Sequence, residues 1–297
     1  MTKRPIRSRL RPMLGAVFAL AIWHSSVQAA DYANPRFLTE TTQLQSIAGA
    51  PSVRVVDVRP RAAFDKGHIT GAVHLGADDI IDPTSQIEGE LLPYEVLVSM
   101  LEQKGIGNET RVVLYDDRGG FQASRLFWLL EYFGHRNVSI LNGGFPKWKR
   151  EGRSVSKAGR QINPQPAKFT LTRIPRKIAT ADWLLDRQTD PSVVVIDVRP
   201  AKMYKAGHIP WARNIPWSMN LNRDGTMKSA EVLLRHFAAL GVTKEKNIAV
   251  HCQVGKAAAH SYFTLRLLGY SRVRSYDRSW AEWGSADDLP KAAGRRS

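Results

Sequence analysis

Short β-branched runs alternate along the chain with longer stretches in which apolar residues recur every three or four positions. Val53 to Val58, Arg111 to Leu114 and Val138 to Leu141 predict strands, as do Val193 to Val198, Ile248 to Val250 and Arg272 to Tyr276. Between them, Pro93 to Lys104, Gln122 to Phe133, Ser229 to Leu240 and Ala257 to Leu268 predict helices, each ending at or just before a glycine. Strands that alternate with helices build βα units, so the expected fold class is α/β with a mostly parallel sheet. Ser156 to Lys177, which holds Pro164, Pro166 and Pro175, has no clear period and reads as a linker. A tail after Pro290 is expected to fray.

The pattern occurs twice. Val56-Asp57-Val58-Arg59-Pro60 is followed by Phe64 and Gly67-His68-Ile69, and Ile196-Asp197-Val198-Arg199-Pro200 by Tyr204 and Gly207-His208-Ile209, every match offset by 140. Asp116 and Gly119 follow the third strand-like run of the first copy as Cys252 and Gly255 follow that of the second, at an offset of 136. After one extra residue in the first copy, Gly134, Val138, Phe145 and Trp148 stand opposite Gly269, Val273, Trp280 and Trp283 at an offset of 135. Ordered anchors with so few register changes indicate two homologous domains. They are placed at residues 36–155 and 178–289, with 156–177 between them and 290–297 as a flexible tail.

Residues 1–29 stand apart from this pattern. Five basic residues (Lys3, Arg4, Arg7, Arg9, Arg11), an apolar run of eleven from Met13 to Trp23 and Val27-Gln28-Ala29 form a secretory signal peptide, so a periplasmic or secreted location is expected. A spanning helix needs about 20 apolar residues; no other stretch approaches that, and no integral membrane segment is expected after the leader is removed. The chain has 43 basic and 27 acidic residues; without the five leader cations, 38 basic residues leave a net charge of about +11. The cations are scattered rather than run together, which favours attraction of small anions or generic surface charge over nucleic acid as a partner. A single cysteine, Cys252, excludes an internal disulfide, a CxxC redox centre and a cysteine zinc site.

Cys252 sits where a strand pattern gives way to a helix pattern, in His251-Cys252-Gln253-Val254-Gly255-Lys256-Ala257. Ligands of open α/β sheets bind at this end of the strands. A tight loop there turns successive N–H groups inward and adds the positive end of the next helix, which together cradle an anion and stabilise a thiolate. A cysteine phosphatase or arsenate reductase would close its loop with an arginine at the sixth position after the cysteine, which here is Ala258. A P-loop fails as well, because Val250 stands five before Gly255 and Ala257 follows Lys256. A cysteine protease needs a histidine base; His251, adjacent on the strand, should point to the other face, while His260 on the next helix stays open.

Taken together these residues resemble the rhodaneses, or thiosulfate sulfurtransferases, in their two-domain form. The resemblance covers nearly the whole chain after the leader. It rests on the paired D-V-R and G-H-I segments, the Gly143-Gly144-Phe145-x-x-Trp148 stretch, the Asp224-Gly225-Thr226 turn with Lys228-Ser229, and the C-x-x-G loop. It implies two five-stranded, mostly parallel sheets flanked by helices, an active second domain, and a first domain made inactive by Asp116 at the cysteine position. It further implies sulfur transfer without cofactor or metal, from a small anionic donor such as thiosulfate, through a Cys252 persulfide, to cyanide or another thiophilic acceptor. Donor binding is implied for Gln253, Val254, Gly255, Lys256, Ala257 and the Arg199 of the second D-x-R, whose alternative role is to brace the loop. Asp197 and His208 read as structural, since the first copy keeps Asp57 and His68. Thiosulfate-type members place basic residues directly after the cysteine and mercaptopyruvate-type members small polar ones; here Gln253 and Val254 follow, with the cation at Lys256. A 3-mercaptopyruvate sulfurtransferase, a carrier feeding an unidentified acceptor protein, and a non-catalytic binding module are the alternatives.

Overall fold

The computed structural model describes residues 1–2, 32–157 and 164–294; the expected leader, apart from its first two residues, lies outside the described residues. The first domain runs β1 (Leu38–Thr39), α1 (Thr41–Ile47), β2 (Val53–Asp57), α2 (Arg61–Lys66), β3 (His68–Ile69), β4 (Val73–His74), α3 (Tyr94–Gln103), β5 (Arg111–Tyr115), α4 (Ala123–Tyr132), β6 (Val138–Leu141), α5 (Gly144–Arg150) and β7 (Val155–Ser156). The second runs α6 (Ala181–Leu185), β8 (Val193–Asp197), α7 (Ala201–Ala206), β9 (Arg213–Asn214), α8 (Ala230–Ala238), β10 (Asn247–His251), α9 (Lys256–Leu267), β11 (Val273–Ser275) and α10 (Ser279–Trp283). The sheets are parallel and ordered β1-β6-β5-β2-β4 and β11-β10-β8-β9. Their central strands are buried on both faces, which is why those segments read as continuous β-branched runs rather than as alternation.

Two expectations are corrected. The second sheet has four strands, not five: where β1 pairs at Leu38↔Ile140 and Thr39↔Leu141, its counterpart makes only the isolated bridge Ile178↔Ser275. One bridge satisfies a single rung of the ladder, so the edge position survives without becoming a strand. The tail does not fray at Pro290, because Ala292 and His208 exchange backbone hydrogen bonds and Gly294 N–H donates to Lys205 O. That bridge repeats the β3–β7 pairing of the first domain, His68↔Ser156, and satisfies an edge that would otherwise be left unpaired. The expected linker also has partners: from residue 164 onward it lies along the first domain, with Thr172 and Ile174 N–H donating to Phe133 and Tyr132.

Each sheet packs one face on a core of its own, and the other faces meet in a core that both domains share. Helices α4 and α9, at equivalent places in the repeat, lie against each other there; every residue of α4 is buried. Phe127 meets Phe263 edge-to-face at 5.0 Å. Glu131 and Arg266, an offset of 135 apart, form an ion pair at 3.1 Å that Lys177 and Tyr262 complete. Burial works against the Glu131 carboxylate, but Arg266, Lys177 and Tyr262 outweigh it and hold its pKa below the ordinary range. The shared core brings the loops that follow β5 and β10 towards the opposite domain.

Candidate active site

Parallel strand order brings the ends of β8, β10 and β11 to one edge of the second sheet, where Cys252 follows β10 and is 2% exposed. Gly255 closes the loop at φ +83° and starts α9. A side chain there would put its Cβ 2.4 Å from Asp277 Oδ1, so both the conformation and the space demand glycine. The loop carbonyls are held from outside: Trp280 N–H donates to Cys252 O at 3.0 Å, Ala281 N–H to Gln253 O at 2.9 Å, and Arg125 Nη1 to Val254 O at 2.9 Å. Because the two ends of a trans peptide unit point in opposite directions, the N–H groups of Gln253, Val254 and Gly255 face away from those donors. Among the described residues, the N–H groups of 253 to 258 have no protein acceptor. At the base of the loop Ser279 Oγ accepts the Cys252 N–H at 3.0 Å, donates to Tyr276 O and lies 4.0 Å from Cys252 Sγ. Ser279 does this at φ 52°, a conformation costly for a residue with a Cβ.

The first domain shows what such a loop binds. Asp116, opposite Cys252 in the repeat, is fully buried, and its carboxylate accepts the N–H groups of Arg118, Gly120, Gln122 and Ala123 at 2.6 to 3.0 Å. Four amides on one carboxylate at the start of a helix make an anion cradle, filled here by the chain itself. The second copy repeats the strand and the helix around a shorter loop, 252–255 against 116–122, and the residue at its base is a thiol.

Comparison with known proteins agrees with this geometry. The model of the rhodanese-like domain matches residues 40–151 and 180–286. The chain belongs to the rhodanese family. It is 35% identical over 286 residues to the sulfur carrier protein TtuD of Thermus thermophilus, covering 89% of this chain and 99% of that one. To the thiosulfate sulfurtransferase of Azotobacter vinelandii it is 32% identical over 270 residues, covering 88% and 98%. The crystal structure of SseA from Escherichia coli, a 3-mercaptopyruvate sulfotransferase with the rhodanese fold, superposes with a TM-score of 0.75 at 27% identity over 82% of this chain and 98% of that one. Wild-type EanB, at 22% identity over 88% of this chain and 70% of its own, has a TM-score of 0.82 and shares the fold. Fold, repeat and relatives make this chain a rhodanese-type sulfurtransferase.

The structure disposes the other site residues of this rhodanese unequally. Gln253, Val254, Lys256 and Ala257 are half-buried around the loop and Gly255 is buried. Lys256 Nζ forms an ion pair with Asp78 of the first domain. Arg199 is 3% exposed and donates to both Asp197 carboxylate oxygens and to Gly207 O, with Trp280 stacked on its guanidinium at 4.5 Å. In the first domain Arg59 makes the same bonds to Asp57 and Gly67 O under Phe145. These bonds brace Arg199 within its own domain, beyond the end of β8 that pairs in register with His251, so it stands at the sheet edge that carries Cys252. His251 is buried beside Asp197 at 3.7 Å, and burial lowers its pKa against the pull of Asp197. His260 faces the first domain, bonded to Gly119 O at 3.1 Å.

Sequence reasoning passed over four residues that meet this loop or its surroundings. Ser279 and Arg125 touch it directly; Asp277 holds Arg125; Glu90 of the first domain pairs with Arg278. The repeat carried a signal for Arg125, since it stands opposite His260 at the offset of 135. Among the described residues no cluster of His, Cys, Asp and Glu could hold a metal ion, and no helix is long and apolar enough to cross a membrane.

Proposed function

We propose that Cys252 carries sulfane sulfur as a persulfide from thiosulfate to cyanide or another thiophilic acceptor. The thiolate attacks the outer sulfur of thiosulfate; the sulfur–sulfur bond breaks and sulfite leaves with its electron pair. The acceptor then attacks the terminal persulfide sulfur and the Cys252 thiolate is restored, so each half-reaction balances without a cofactor. The repeat itself carries this reading: the loop that holds the Asp116 carboxylate on four amides has, in its second copy, a cysteine whose persulfide anion would occupy the corresponding place. Relatives named thiosulfate sulfurtransferase support the donor. The leader composition supports export, with the reaction taking place in the periplasm or outside the cell.

A persulfide carrier serving an acceptor protein is the second reading. It is favoured by the TtuD relationship and by the pairing of Lys256 and Arg278 with carboxylates of the first domain, which leaves less cationic charge for a small dianion. A donor panel with purified protein, read by intact mass, tests both. The expected result is the addition of one sulfur atom after thiosulfate, its loss with cyanide, ping-pong kinetics, and neither mass change nor turnover in Cys252→Ser with the fold retained. Turnover by the serine variant at the wild-type rate would refute the assignment, and charging by mercaptopyruvate or a protein persulfide but not by thiosulfate would move the donor to that class.

A further inference from the structure

Among the first-domain groups that reach the catalytic loop, one is a fully buried cation. Arg125 lies on α4, its side chain has no exposure to solvent, and its partners come from three separate segments. Nη1 donates to Val254 O at 2.9 Å; Nη2 donates to Gly89 O and to Asp277 Oδ1 and Oδ2 at 3.0 and 2.9 Å. Gly89 belongs to the first-domain segment folded over the loop, so close that a Cβ there would stand 2.8 Å from Val254 Cβ. Asp277 belongs to the turn leading to Ser279, and it is the group that excludes a side chain at Gly255. One guanidinium thus ties together the loop, the segment covering it and the turn beneath it.

Its bond to Val254 differs from the other two that hold loop carbonyls. Cys252 O and Gln253 O are held by amides of α10, within the same domain, whereas Val254 O is held from the first domain. The peptide unit that begins with the Val254 carbonyl ends with the N–H of Gly255, which points the opposite way. Fixing the carbonyl therefore fixes the amide nearest the start of α9, where the helix dipole adds to it. The repeat supports a role beyond packing: His260, the counterpart of Arg125 at the offset of 135, bonds the Gly119 carbonyl in the first-domain loop that corresponds to the loop of Cys252. Each domain thus secures a carbonyl in the loop of the other, with a permanently charged donor on the loop that carries the cysteine.

We propose that Arg125 is a positioning residue for sulfur transfer: by holding the Val254 carbonyl outward it aims the Gly255 N–H at the anion formed on Cys252. The inactive domain is then part of the active site rather than ballast beside it. This inference rests on Cys252 being the sulfur-carrying residue.

The test must separate aim from charge and from stability. Arg125→Met with Asp277→Asn removes the carbonyl donor while leaving the net charge at this spot unchanged and no buried carboxylate unpaired. Asp277→Asn alone keeps the Arg125 bond to Val254 and adds one net positive charge. In each full-length variant, alkylation of Cys252 by iodoacetamide is followed against pH, together with thermal unfolding, circular dichroism and thiosulfate turnover. The expected result for the double variant is a native spectrum, an alkylation profile displaced to higher pH with roughly ten-fold slower reaction at neutral pH, and a fall in kcat/KM of at least about ten-fold. Asp277→Asn should leave the profile in place or move it to lower pH. Arg125→Lys, with one ammonium in place of the fork, should recover part of the loss. A double variant that folds and alkylates like wild type would overturn the proposal, as would a single Asp277→Asn variant that reproduces the whole loss. Alkylation is independent of turnover, so a displaced profile in an enzyme inert towards every sulfur donor would count against the persulfide reading and leave the role of Arg125 standing.

Discussion

Residues 116 and 252 occupy equivalent places, yet a carboxylate fills the first cradle from within, while under the proposed sulfur transfer a thiol at the second leaves its amides to an arriving anion. Side chains around the rim then set how much cationic charge such an anion meets. Lys256 is the cation closest along the chain to Cys252, but in the structure Asp78 holds it. The Asp78 side chain is 65% exposed, and an exposed ion pair is worth at most about 1 kcal/mol, so Asp78 biases Lys256 without locking it. Asp78→Asn is therefore expected to raise kcat/KM for thiosulfate by roughly three- to ten-fold at low salt. A singly charged donor should gain less, and added salt should shrink the gain. Steady-state kinetics with both donors at two ionic strengths check this, and equal rates in variant and wild type throughout would remove Lys256 from donor binding.

At the level of elements, α4 and α9 act as paired rods whose N-terminal halves reach across to the opposite loop. The rod that carries His260 has a pH limit. His260 Nε2 donates to Gly119 O and Nδ1 accepts from the Asn220 amide at 3.4 Å, which requires the neutral ring. Burial lowers its pKa to about 4, against the opposing pull of Gly119 O. In the unfolded chain the same ring takes its proton near about 6.5. Between these values the unfolded state binds more protons, so the contribution is complete above about pH 6.5 and is lost as pH falls towards 4, at most on the order of 3 kcal/mol. Buried His251, also lowered, acts in the same direction. Denaturant midpoints from pH 7 to 4 should therefore fall more steeply for wild type than for His260→Gln, and parallel curves would assign the acid loss to other groups.

For the molecule as a whole, the shared core governs behaviour. Phe127, Trp128 and Leu130 on α4 and Tyr262, Phe263 and Leu265 on α9 are buried in it, and the buried Glu131–Arg266–Lys177 network crosses the same seam. Parting the domains would expose apolar faces from both and strand three charges, which makes a state with one half folded costly. The full-length protein is therefore expected to unfold in a single transition, with calorimetric and van't Hoff enthalpies agreeing. Two resolved transitions in calorimetry would show that the seam is weaker than its burial implies.

Much of this was legible in the chain. Strand and helix periods, the two offsets around one inserted residue, and the place of Cys252 between a strand and a glycine-closed turn are local properties, fixed by neighbours a few positions apart and by what glycine permits. The duplication extended that local reading to the whole fold. What the sequence could not show was how the two copies face each other. Arg125 meets Val254 across 129 residues and Lys256 meets Asp78 across 178, and no periodicity marks either pair. The bridge that ties Ala292 to His208, and the shortening of the fifth strand to the Ile178–Ser275 bridge, likewise depend on which backbone groups find an edge within reach. Local patterns chose the elements and the place of Cys252; the packing of α4 on α9 decided which side chains of one domain hold the loop of the other, because that choice is made by distance in space rather than along the chain.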